Sequence, residues 1–203
     1  MKKIFLGVLA SGSGSNFAAI AQALSQTDSY TSARTDDFKI ELKISVLIYN
    51  NPQAYAAQRA KDLNIPTVLL DHREYASREK LDQSISDVLK AYEVDLVIMA
   101  GWMRVITQVL LDAFPNRLLN IHPSLLPSFP GIRAVEQALT YGVKITGCTV
   151  HVVSLEVDRG PILAQAAVEV LPTDTTASLQ AKIQLEEHRI YPKAITAYCQ
   201  KLQ

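Results

Sequence analysis

The sequence predicts an α/β fold, a Rossmann-like open and mostly parallel sheet with antiparallel strands added at the C-terminal end and helices on both faces. Two observations carry it. Strand-like and helix-like patterns alternate along the first two-thirds of the chain, as in βαβ units on a parallel sheet. After residue 142 the pattern changes to two extended runs and one terminal helix. Strands are expected at roughly 2–10, 40–49, 66–70, 94–100 and 117–121, and helices at roughly 16–26, 53–63, 77–91, 105–113 and 133–141. Thr27 to Phe38, rich in Ser, Thr and Asp, reads as a surface loop. Lys144 to Val153 and Pro161 to Val170 read as extended runs joined by a turn at Asp158. Thr175 to Gln200 reads as a helix interrupted near Pro192.

At 203 residues, 48% of them hydrophobic, the chain can bury a core as one domain spanning 1–203. Lys+Arg and Asp+Glu are each 20. With no basic run, the charge pattern gives no footprint for nucleic acid or an anionic membrane surface. Lys2-Lys3 followed by Ile4 to Ala10 imitates a signal peptide, but cleavage there would sever the first strand from its turn. No apolar run approaches the roughly 18 residues of a membrane-spanning helix. Two cysteines, Cys148 and Cys199, suit a reducing cytoplasm, and no spacing of His, Cys or acids suggests a metal.

Two segments carry chemistry. Ser11-Gly12-Ser13-Gly14-Ser15-Asn16 lies between the first strand and a helix-like run. Strand, turn and helix start in that order put free N–H groups and the positive end of a helix dipole at one point, which suits a phosphate. The Lys-Ser/Thr pair of a Walker A loop is absent, and Phe17 stands where a dinucleotide fingerprint needs its third glycine. A tight βα connection is the alternative. The second segment is Asn120-Ile121-His122-Pro123-Ser124-Leu125-Leu126-Pro127. In a strand, i and i+2 share a face, so Asn120 and His122 would offer an amide donor and a titratable ring to one ligand. They could equally close a strand before a proline-rich loop.

The Asn-x-His-x-Ser-Leu-Leu-Pro run resembles the signature of the folate-dependent formyltransferases, which pair it with an aspartate some thirty-five residues on, here Asp158 in Asp158-Arg159-Gly160-Pro161. The glycine-serine turn is similar to that of the members acting on glycinamide ribonucleotide, where the loop holds the 5′-phosphate. The resemblance implies phosphate and ribose binding by Gly14, Ser15, Asn16 and Glu187, and catalysis by Asn120, His122 and Asp158. It implies 10-formyltetrahydrofolate as donor, held by Arg78, by Met103, Arg104, Val105 and Ile106 of the Ala100-Gly101-Trp102-Met103-Arg104 segment, and by Asn120. Glycinamide ribonucleotide and the folate are the expected small-molecule partners, with no metal, and the protein is expected to be a monomer or weak homodimer.

Members acting on tRNA carry an extra domain after the core, and deformylases one before it; neither is expected here. His151 matches a histidine that the family has near the site, but a His inside a strand is more often a satisfied structural group, and it is given no role in the reaction. Arg133 stands where many relatives have histidine, keeping a cation and losing a titratable one. Two rivals remain, formyl transfer to a sugar-nucleotide amine and a non-catalytic nucleotide-binding module.

Overall fold

The computed structural model describes residues 2–26 and 40–202, so the loop expected at 27–38 lies outside the described residues. The chain runs β1 (Lys2–Ala10), α1 (Ser15–Gln26), β2 (Ile40–Tyr49), α2 (Ala56–Asp62), β3 (Thr67–Leu69), α3 (Arg78–Ala91), β4 (Leu96–Met99), α4 (Gln108–Ala113), β5 (Leu118–His122), α5 (Ala134–Tyr141), β6 (Ile145–Val152), β7 (Ile162–Glu169) and α6 (Thr176–Lys201). The sheet order is β3-β2-β1-β4-β5-β6-β7. Strands β1 to β5 pair in parallel, and β6 and β7 add antiparallel to β5 and to each other. This is the expected architecture.

The central strand β4 is buried on both faces, which is why it is the unbroken apolar run Leu-Val-Ile-Met. On one face Phe17 and Ile20 of α1, Ala56 and Ala60 of α2, and Leu179, Ile183 and Ile190 of α6 pack on alternate strand residues such as Leu6 and Val8. On the other, Leu81, Ile85 and Leu89 of α3 and Leu110 of α4 cover Leu9, Val97 and Met99. The order reverses between β1 and β4, whose carboxyl ends open the crevice where open α/β sheets bind ligands.

Three helices differ from expectation. Helix α2 starts at Ala56 rather than near 53, after a turn closed by Ala54 N–H to Asn51 O at 2.9 Å. Helix α4 starts at Gln108 rather than 105, because the Asp82 carboxylate accepts from both the Thr107 N–H at 2.6 Å and its hydroxyl at 2.8 Å, fixing that residue in extended conformation. Helix α6 is not interrupted at Pro192 but runs through it. A proline inside a helix costs about 3 kcal/mol. Burial of Ile183, Ile190, Tyr191, Ile195 and Cys199 on the sheet outweighs it, since each large apolar side chain contributes about 1.5–3 kcal/mol.

Candidate active site

Four chain segments meet at the carboxyl ends of β1, β4 and β5. After β1, Gly14 takes φ +71°, and a Cβ there would lie 2.7 Å from the Ala56 Cα, so the position demands glycine. Gly14 O accepts the Ala18 N–H at 3.0 Å, which caps α1 and leaves its first-turn N–H groups free of intrahelical partners. The loop is braced from α6: Gln184 donates to the Ser15 hydroxyl at 2.8 Å, and Asn16 donates to the Glu187 carboxylate at 2.9 Å. Asn16 and Glu187 are both buried, and burial pushes the Glu187 carboxyl up while the Asn16 bond opposes the shift. The Asn16 Oδ1 is buried with no protein partner.

The loop after β4 is joined to this one. Ser11 N–H donates to Gly101 O at 3.1 Å, and the Met103 N–H donates to the Ser11 hydroxyl at 2.9 Å. Trp102 and Ile106 turn into the core, whereas Met103 is 76% exposed and Val105 also faces solvent. Met103 and Val105 thus stand outside the core, whereas Ile106 packs with the α3 and α4 side chains and has only its backbone to offer. The Arg104 Nε is buried without a partner, a donor waiting for an acceptor. Arg78 is exposed in the first turn of α3, one turn before the Asp82 that holds Thr107.

Asn120 and His122 lie on one face at the end of β5, with Leu119 and Ile121 in the first core on the other. Asp158 comes to them on the β6–β7 turn, in left-handed conformation at φ +56°. A Cβ on Gly160 would fall 1.7 Å from Val152 O, so glycine lets this turn close on β6. Asp158 Oδ2 lies 3.2 Å from His122 Nδ1 and accepts the Gly131 N–H at 2.7 Å. His122 Nε2 meets Phe129 O at 2.8 Å. The ring therefore stands between the Asp158 carboxylate and the Phe129 carbonyl. The Ser-Leu-Leu-Pro segment makes this possible: Thr149 donates to Ser124 O at 2.7 Å and accepts from the Leu126 N–H at 3.0 Å, curling the chain until Phe129 O faces His122.

His151 is the residue that sequence reasoning set aside. It pairs directly opposite Asn120 across β5–β6, accepts from the Asn120 amide at 3.3 Å, and lies 3.6 Å from Asp158 Oδ1. Its Nδ1–H donates to Val152 O at 3.0 Å, and burial lowers its pKa, so the neutral ring keeps Nε2 as an acceptor. The signal was the polar i, i+2 pair Thr149 and His151 on a buried strand, which pairs with His122 and Asn120 once β6 is antiparallel. Arg133, also in left-handed conformation, is exposed near Gly131 and lies 3.9 Å from Glu136. Among the described residues no group of three or more His, Cys, Asp or Glu could hold a metal ion.

The chain matches the formyl transferase family over residues 3–195. A phosphoribosylglycinamide formyltransferase of Bacillus subtilis is 40% identical over 195 residues, covering 96% of this chain and 93% of that one. The human trifunctional purine biosynthetic protein adenosine-3 is 39% identical over 194 residues, covering 96% of this chain but only 18% of that much longer one. The crystal structure of glycinamide ribonucleotide transformylase 1 from Symbiobacterium toebii superposes with a TM-score of 0.88 at 46% identity, over 95% of this chain and 86% of that one. With the family's match spanning residues 3–195 and the fold shared with a solved structure 46% identical, this chain belongs to the formyl transferase family.

Proposed function

We propose that this chain transfers the formyl group of 10-formyltetrahydrofolate to the primary amine of glycinamide ribonucleotide, giving formylglycinamide ribonucleotide and tetrahydrofolate in de novo purine synthesis. One observation carries the reading: a glycine-serine loop at a helix start and an Asn-His-Asp cluster lie at the carboxyl ends of nearby strands of one sheet. The ends of β1 and β5 are separated by β4 alone, a span of about 10 Å. That suits a ribose 5-phosphate whose phosphate sits on the loop and whose glycyl amine reaches the cluster.

Gly14, Ser15 and Asn16 hold the phosphate with first-turn amides, and Glu187, oriented by Asn16, takes the ribose hydroxyls. The exposed apolar side chains of Met103 and Val105, the Ile106 backbone and the Arg104 guanidinium, whose Nε has no partner, fit a flat heteroaromatic ring whose tail carries carboxylates, and Arg78 adds a cation at the rim. The folate supplies the formyl carbon that the amine attacks. At the end of β5, the Asn120 amide is a donor for the negative charge that builds on the formyl oxygen, and the His122 Nε2–H is a second once it leaves Phe129 O for the ligand. Asp158 keeps the His122 ring oriented at 3.2 Å, accepts the proton the amine must lose and passes it to the folate nitrogen as the bond from that nitrogen to the formyl carbon breaks. His151 accepts one N–H of the Asn120 amide, which prevents its flip and leaves the other N–H to be presented.

The reading places the protein in the cytoplasm as one catalytic unit acting on small molecules, a monomer or weak homodimer. The free, buried Cys148 and Cys199 fit a reducing compartment. Purified protein mixed with glycinamide ribonucleotide and a 10-formyl folate is expected to release deformylated folate only when the ribonucleotide is present. Release into water without the ribonucleotide makes it a deformylase instead, and no release sends the search to other amines.

A further inference from the structure

Arg59 stands on α2, outside every group named above for the reaction. Its Nε donates to the Ser13 carbonyl at 2.9 Å across forty-six residues of sequence. Its guanidinium lies over the Tyr55 ring, 5.1 Å from the centroid, which holds the side chain in place. The neighbouring loop carbonyl, Gly12 O, is also held by α2, accepting the Ala56 N–H at 3.1 Å. A trans peptide points its C=O and N–H in opposite directions. With the Ser13 carbonyl fastened to Arg59, the Gly14 N–H is turned away from α2 and joins the free amides at the start of α1. Without that fastening the Ser13–Gly14 peptide can flip, since Gly14 accepts both hands of backbone conformation.

Charge balance points the same way. A phosphate monoester carries about −1.5 to −2 near pH 7, against which a helix start offers about +0.5. Glu187 adds an acid beside the loop. The Arg59 charge reaches the α6 side of the site too: burial first, and Arg59 second, hold the His188 imidazole below its ordinary range.

We propose that Arg59 is a positioning residue of the phosphate site, pinning the Ser13–Gly14 peptide with its N–H toward the ligand and supplying a fixed positive charge behind the loop. The proposal rests on the reading of the loop as the ribonucleotide's phosphate site. Calorimetric titration with ribose 5-phosphate, and separately with a folate, of wild type, Arg59→Met and Arg59→Lys tests it. Arg59→Met is expected to weaken ribose 5-phosphate by about 10–100-fold, the span for a lost charged hydrogen bond, and to leave the folate within about twofold. Arg59→Lys, which keeps the charge but loses the fork and the stacking, is expected to fall between them. In turnover, KM for the ribonucleotide should rise by the same factor with kcat held, whereas KM for the same amine lacking its phosphate should not move. Unchanged ribose 5-phosphate binding, equal loss of both ligands, or a wild type that does not bind ribose 5-phosphate would overturn the proposal. If Arg59→Met fails to fold, Arg59→Lys carries the same comparison. Wild type that binds ribose 5-phosphate but formylates no ribonucleotide refutes the proposed reaction and leaves the role of Arg59 decided by binding alone.

Discussion

Asp158 is reached by two imidazoles and one backbone amide, and its side chain is 8% exposed. Replacing it with Asn keeps the shape and removes the charge and the proton acceptor. Asp158→Asn is expected to lower kcat by roughly 10²–10⁴-fold with little change in either KM, read from steady-state rates. Near-normal turnover in that variant would remove the mechanism. Glu187 gives a prediction in pH. Its folded pKa is raised above the ordinary 4.5 by burial, so the unfolded chain releases that proton first as pH rises. Stability associated with Glu187 is therefore full below about pH 4.5 and is lost as pH climbs through the raised folded value. Glu187→Gln should match wild type in acid and exceed it near neutrality, by about 2–4 °C in Tm for each kcal/mol relieved. The same variant is expected to raise KM for the ribonucleotide. A stability difference that does not change with pH would show that Glu187 titrates normally. At this scale the sequence showed Asn120, His122 and Asp158 through their motif, but not His151, whose part depends on standing opposite Asn120 in the register of β5 and β6.

Among the elements, the β1–α1 turn is held by a close approach as much as by hydrogen bonds. Gly14→Ala puts a Cβ 2.7 Å from the Ala56 Cα at a backbone angle that alanine adopts at a cost of about 1–2 kcal/mol. The variant is expected to lose at least that much stability in urea and to bind ribonucleotide more weakly, because α2 must retreat or the loop must turn. Equal denaturation midpoints for variant and wild type would contradict the crowding. Helix α6 shows where local reading failed. Pro192 and its neighbours look like a break, yet the Tyr191 hydroxyl donates toward both Met99 O at 3.1 Å, on β4, and Leu119 O at 3.0 Å, on β5. Tyr191→Phe is expected to cost about 1–3 kcal/mol by leaving those buried carbonyls short of a donor. Strand existence was readable from apolar runs. The start of α4 was not, because Asp82, on another helix, sets it.

For the molecule as a whole, both cysteines report on the global fold. Cys148 and Cys199 are fully buried, and burial pushes each thiol up to about 12. Neither is expected to react with a thiol reagent faster than the protein unfolds, and labelling that outpaces unfolding measured by urea jump would reveal local opening instead. The chain's own pattern determined the α/β class, the parallel pairing expected of the first five strands, the glycine-serine turn before a helix and the Asn-x-His signature, because each is written in a local period or a short spacing. The tertiary structure decided which of these meet. It brought Asp158 within 3.2 Å of His122, set Glu187 of the last helix against Asn16 of the first, and placed Arg59 behind the Ser13 carbonyl. Those pairings join residues far apart in the chain, and they exist only because the strand order reverses between β1 and β4 while β6 turns back antiparallel on β5, a choice made by burying both faces of one sheet rather than by any local propensity.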